Sequence, residues 1–192
     1  SVSVALPQPD GHILIGGGFI QVDGHSRSYL ARLNADGSYD PGFSAFSDGV
    51  VDAIVREPDG HLLVGGDFGS PHLKMARFDA NGAVDSGFNL HIAGSRVSSI
   101  AMQADGSFLI GGSFQFVGST PRKNLARFDR DFALDEGFAF DAEGGGFAPV
   151  ASISLPANGI AVIGGELTSV NGDPRGHGAR LRDDRLFAGG FD

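Results

Sequence analysis

The stretch Glu57-Pro-Asp-Gly-His-Leu-Leu-Val-Gly-Gly-Asp-Phe68 constrains this chain more than any other feature, because three further versions of it stand at nearly even spacing. They are Gln8-Pro-Asp-Gly-His-Ile-Leu-Ile-Gly-Gly-Gly-Phe19, Gln103-Ala-Asp-Gly-Ser-Phe-Leu-Ile-Gly-Gly-Ser-Phe114 and Pro156-Ala-Asn-Gly-Ile-Ala-Val-Ile-Gly-Gly-Glu-Leu167. Asp-Gly or Asn-Gly predicts a two-residue hairpin turn with positive φ, and the apolar run after it predicts a strand buried on both faces. The glycine pair predicts a place where another backbone comes close. Its first member falls at Gly16, Gly65, Gly111 and Gly164, steps of 49, 46 and 53 residues, and periods in that range mean a repeat architecture.

No window shows a convincing 3.6-residue apolar period, and Gly or Pro interrupts nearly every candidate helix, so the chain reads as all-β. At 192 residues it is long enough for one domain of ordinary size. Twenty-three acidic residues against 14 basic ones exclude the basic footprint that a nucleic-acid partner needs. No run approaches a membrane span, and the amino end has neither the charged start nor the apolar core of a signal peptide. Because the first residue is Ser, the chain is expected to be a processed or excised piece from which an export signal could have been lost. The absence of cysteine excludes disulfides and thiolate metal sites.

Four copies divide the chain, at about residues 1–46, 49–90, 95–140 and 149–192. Each is expected to hold four strands. The first is an apolar segment (Val2 to Leu6, Val51 to Val55, Val97 to Met102, Val150 to Leu155), and the second is the run into Gly-Gly. The third carries an Ala-Arg pair with Arg32, Arg77, Arg127 or Arg180, and the fourth ends on Gly42-Phe43, Gly87-Phe88, Gly137-Phe138 or Gly190-Phe191. One such sheet cannot hide both apolar faces, so neighbouring sheets must stack, and a radial stack is a β-propeller.

The frame Asp-Gly-x-x-Leu-Ile-Gly-Gly-x-Phe, then Val-x-Gly with Arg, then Ala-Arg-Leu or Ala-Arg-Phe, then Asp-Gly with Asp-x-x-Phe, resembles the delta-60 β-propeller repeat across essentially the whole chain. The glycine pair ending strand two is also similar to kelch blades. The resemblance implies a propeller from bacterial, often exported or surface-linked, proteins. It carries architecture rather than chemistry. Since the chain starts at strand one and ends at strand four, no strand serves as the usual ring clasp. The expected arrangement is either a closed four-bladed ring or, preferred, an arc of a larger ring completed by a second copy or by residues outside this segment.

Polar positions shared by the copies read first as structure. Arg32, Arg77 and Arg127 are expected to pair across a hairpin with Asp40, Asp85 and Asp135, whereas copy four has Ala188 in the acid's place. Alternating oxygen side chains at Asn34 to Asp40, Asp79 to Asp85 and Asp129 to Asp135 resemble the start of a calcium loop but lack its bidentate Glu, so hairpin turns explain them better. The six histidines show no zinc spacing, and no metal or cofactor is expected.

Function is therefore sought where the copies differ. The turns between strands one and two and between three and four share one end of the sheets. They carry ten acids against three bases, while the loops between strands two and three are of mixed charge. Any partner is expected at the mixed end, where Asp67, Glu166, Arg27, Lys74, Arg122, Lys123 and Arg175 lie. The leading expectation is a non-enzymatic binding or scaffold module, extracellular or at the cell surface, that presents loops to a protein or surface polymer and associates with further blades. One alternative is a carbohydrate-active enzyme using Asp67 and Glu166 as its two carboxylates. Another is a structural subunit of a larger assembly.

Overall fold

The computed structural model describes residues 1–156, 160–182 and 185–186. Among them there is no helix. The chain divides into two compact units, Ser1–Val97 and Ser98–Asp192.

The first unit holds β1 (Val2–Pro7), β2 (Ile13–Gly17), β3 (Gln21–Val22), β4 (His25–Ser26), β5 (Leu30–Leu33), β6 (Val50–Arg56), β7 (Leu62–Asp67) and β8 (Met75–Phe78). Two antiparallel sheets result, ordered β1-β2-β5 and β6-β7-β8, with β3 and β4 forming a small hairpin inside the loop between β2 and β5. Strand β9 (Ile92–Met102) runs across the division between the units.

The second unit continues with β10 (Phe108–Val117), β11 (Thr120–Pro121), β12 (Leu125–Phe128), β13 (Ala142–Gly144), β14 (Ser152–Ser154), β15 (Ile160–Gly164), β16 (Leu167–Val170), β17 (Asp173–Pro174), β18 (Gly178–Arg182) and β19 (Arg185–Leu186). Here β10 lies between β11 and β12 on one side and β9 on the other, β14-β15-β18-β19 form a second sheet, and β13-β16-β17 a third.

In copies one to three the second strand is the buried one, whereas β15 of copy four alternates buried and half-buried positions. Leu62 to Gly66 of β7 and Phe108 to Gly112 of β10 are buried at every position, as expected of a strand covered on both faces. The two glycines of the pair have different tasks. A side chain on Gly16 would collide with Val51 and Val4, and one on Gly111 with Val150 and Ile153, so the first glycine admits a valine from the next sheet. The second meets backbone: Gly17 lies against the Ser1 carbonyl and Gly165 against that of Pro149. Leu14, Leu30, Val51, Ile54, Leu62, Val64 and Phe78 form the apolar core of the first unit. Leu109, Leu125, Val150, Ile163, Leu167 and Leu181 belong to that of the second.

Two expectations are corrected. The Asp-Gly turns are three-residue loops, not two-residue ones. Gln8 N–H donates to His12 O at 2.8 Å and Gly11 N–H to Gln8 O at 3.0 Å, with positive φ confined to Gly11. Asp10 is thereby free to accept the His12 amide at 3.1 Å, a self-bonding turn repeated at Asp59 and Asp105. The second correction concerns the fourth strand, which in copies one to three shrinks to single bridges, Leu33 to Tyr39, Phe78 to Val84 and Phe128 to Leu134. The acid that follows explains why: Asp40, Asp85 and Asp135 accept the amides of Gly42, Gly87 and Gly137, which turns the chain before a ladder can extend. Ala188, the Gly190-Phe191 end and the Asn158-Gly159 turn lie outside the described residues.

Candidate functional site

In copies one to three the repeat arginine leaves strand three, crosses its hairpin and meets the acid of the shortened fourth strand. Arg32 Nε donates to Asp40 Oδ2 at 2.6 Å, and Arg127 Nε to Asp135 Oδ2 at 2.7 Å. Their guanidinium carbons also sit over the rings of Phe43 and Phe138, 5.0 and 4.7 Å from the centroids, a favourable cation–π arrangement. Burial by itself would raise the carboxyls of Asp40 and Asp135. The arginine and glycine donors outweigh it and hold both below the ordinary value.

Copy two is built differently. Arg77 donates to three carboxylates: Nε to Glu57 at 2.6 Å, Nη1 to Asp85 at 2.8 Å and Nη2 to Asp59 at 2.7 Å. Copies one and three carry Gln8 and Gln103 where Glu57 stands, so this triple clamp is particular to copy two. Arg180 of copy four is exposed, unlike its three counterparts.

At the other end of the sheets a second set of residues fixes the loops. Tyr29, Lys74, Asn124 and His177, each immediately before strand three, have φ between 62 and 67°, the left-handed region. Their carbonyls accept from Gly17, Gly66, Gly112 and Gly165, while their own amides donate to Phe19, Phe68, Phe114 and Leu167. Two backbone hydrogen bonds thus close the base of every loop. Sequence reasoning missed this position, because four unrelated side chains occupy it.

The expected loop cations separate into two groups. Arg27 donates to the carbonyls of Leu30, Phe43 and Ala45. Arg122, 8% exposed, donates to those of Pro121, Asp135 and Glu136. Both tie a loop to the segment leaving their own copy, so they are occupied internally. Arg175 donates to Pro174 O at 3.0 Å and lies 4.0 Å from Asp173. Lys74 pairs with Asp67 at 2.8 Å, and Lys123 with Glu143 at 2.9 Å; the Glu143 hydrogen bond holds the exposed Lys123 amine above its ordinary value. Glu166 accepts the Phe147 amide at 3.1 Å. Asp67 and Glu166 belong to different units, each engaged by neighbours of its own.

Two further carboxylates were not singled out from the sequence. Asp48 accepts the amides of Gly69 and Ser70 at 2.8 and 3.0 Å, which depresses its pKa and anchors the short loop after β7. Asp52 lies 3.5 Å from Arg96, and burial pushes its carboxyl up. Among the described residues, no group of three His, Asp or Glu is placed to hold a metal ion, and no helix is long and apolar enough to cross a membrane.

Beside these charged groups the loop ends also expose large apolar side chains. Ile20, Phe46 and Leu73 are 65, 48 and 51% exposed, and one line of hydrogen bonds joins their segments. Arg27 N–H donates to Ile20 O, the Arg27 guanidinium grips Phe43 and Ala45 just before Phe46, and Asp48 just after it holds the loop that carries Leu73. In the second unit Phe116 and Phe147 are exposed at the corresponding end of their sheets.

A protein-family model described as "Domain of unknown function (DUF5122) beta-propeller" matches residues 8–43, 57–88 and 103–138. The chain belongs to this β-propeller family. Each DUF5122 match opens on the residue that starts the first turn, Gln8, Glu57 or Gln103, and closes on the Phe43, Phe88 or Phe138 that ends the Arg–Asp hairpin. The DUF5122 unit therefore comprises strands two and three with their ion pair, and the first strand of each copy falls outside it. No curated protein matches the chain.

Proposed function

We propose that this propeller is a non-enzymatic binding module whose strand-two-to-three loops dock an apolar patch on a partner protein. A β-propeller is consistent with a binding or scaffold role. The observation that carries the reading is the exposed line Ile20, Phe46 and Leu73 on a frame held by Arg27 and Asp48. Charge on that frame is largely neutralised from within: Arg27 by carbonyls, Asp48 by amides, Asp67 by Lys74. Such a surface suits apolar contact better than a charged polymer, since exposed apolar patches mark protein-binding sites. The same occupancy counts against a two-carboxylate glycosidase, because Asp67 and Glu166 already satisfy donors of this chain. The finer assignment to the delta-60 repeat, with a bacterial extracellular or cell-surface setting and association with further blades, is part of the same proposal.

Photo-crosslinking in the producing cells tests it. A benzophenone side chain at position 46 should give discrete protein adducts, which a Leu73→Asp exchange abolishes. The same probe at position 36, on the acidic turn end, should give none. Equal adducts at both positions, or none at either, would overturn the reading.

A further inference from the structure

A pocket of about 250 Å³ opens at the turn end of the first unit, between the β1–β2 turn and the turn after β8, with Gln8, Asp10, Arg32, Arg56, Ala80 and Asn81 in its walls. It is smaller than a site for a drug-sized ligand, so its occupant is small. Three of the wall residues are held in place. Arg32 is held by Asp40 through Nε and by the Ala80 carbonyl through Nη1 at 2.7 Å, Asn81 O accepts the Ser44 amide at 2.9 Å, and Gln8 is fixed by both turn hydrogen bonds.

Three groups in these walls have capacity left over. Arg32 keeps Nη2 after its two hydrogen bonds are made. The guanidinium of Arg56 has no hydrogen-bond or ion-pair partner among the described residues, an unusual state on a protein of net charge −9. Gln8 Oε1 is a buried acceptor without a donor, and buried polar atoms of that kind call for one. Two guanidinium groups ask for a carboxylate. An orphan amide oxygen near Asp10, whose Oδ1 is taken by His12, asks for a donor and favours a positive one.

We propose that this pocket binds a small zwitterion of the α-amino acid type, with its carboxylate between Arg32 and Arg56 and its ammonium group toward Asp10 and Gln8 Oε1. A simple anion would leave Gln8 Oε1 without a donor, and a dianion such as phosphate would meet the acids of this end. A zwitterion satisfies both poles at no net charge. The site lies at the opposite end of the sheets from the apolar loops, so it stands or falls independently of the docking reading.

The test is an amide NMR titration of the isotope-labelled full chain with glycine, L-alanine, L-lactate and ethylammonium. Glycine and alanine should give saturable shifts at Gln8, Asp10, Arg56 and Asn81, and lactate and ethylammonium, each lacking one pole, should bind at least tenfold more weakly. Arg56→Gln and Asp10→Asn should each weaken alanine at least tenfold while spectra elsewhere stay unchanged. Both sites are exposed, and copy four already carries Asn158 in the place of Asp10. No saturable shift with either amino acid, lactate binding as tightly as alanine, or variants that bind as the parent does would each overturn the proposal.

Discussion

Val51 of β6 fills the space that a side chain on Gly16 of β2 would need. The spacing of two sheets is therefore set by one missing methyl group. Gly16→Ala should cost about 1–3 kcal/mol through overpacking. In a Val51→Ala background the same exchange should cost at least about 0.5 kcal/mol less, since the two residues share one space. Urea midpoints of the four proteins of this cycle check it. Gly111 and Val150 in the second unit should behave alike.

Arg77 neutralises three carboxylates, one of them the buried Glu57. Arg77→Met leaves those charges together without a cation and should cost about 3–5 kcal/mol. Arg32→Met, which strands Asp40 in a less crowded hairpin, should cost about 1.5–3 kcal/mol. Thermal or denaturant unfolding ranks the two. Adding Glu57→Gln, the residue type of copies one and three, should recover part of the loss at Arg77.

Asp40, Asp85 and Asp135 hold their protons less tightly folded than unfolded. Their contribution is complete above the unfolded value of 3.8 and disappears as pH falls through the lower folded values. Stability measured by urea should accordingly be flat near neutrality and drop between about pH 5 and pH 2. Asp52, whose burial raises its carboxyl, titrates in the opposite sense and offsets part of the drop. Asp40→Asn keeps an acceptor for Gly42 but loses the charge, so its acid slope should be shallower.

His177 is exposed with φ 63°. Replacing it by Asn, the residue that Asn124 already places at φ 67° in copy three, relieves part of the roughly 1–2 kcal/mol that left-handed backbone costs a residue with a larger side chain. His177→Asn should raise the melting temperature, and His177→Val, with a branched Cβ, should lower it.

How far the sequence reached follows from the range of each interaction. The repeat, the all-β class and the Arg32–Asp40 and Arg127–Asp135 partners lie within single hairpins, eight residues apart, and periodicity exposes them. Arg27 and Arg122 looked like free loop cations because their carbonyl acceptors lie 13 to 18 residues away and have no side-chain signature. Arg77 recruits Glu57 and Asp59 from the preceding hairpin. Aligning the copies would have revealed a charge where Gln8 and Gln103 are neutral. The fourth strand was overestimated because Asp40 and its counterparts bend the chain locally, against an otherwise strand-like pattern.

The paired backbone bonds beneath every loop give this protein a socket. Phe68 and Lys74 span five residues and Phe114 and Asn124 span nine, yet both loops seat on the same two bonds. A foreign peptide spliced between such anchors would inherit a fixed entry and exit, and the sheets beneath would have no means of sensing its length.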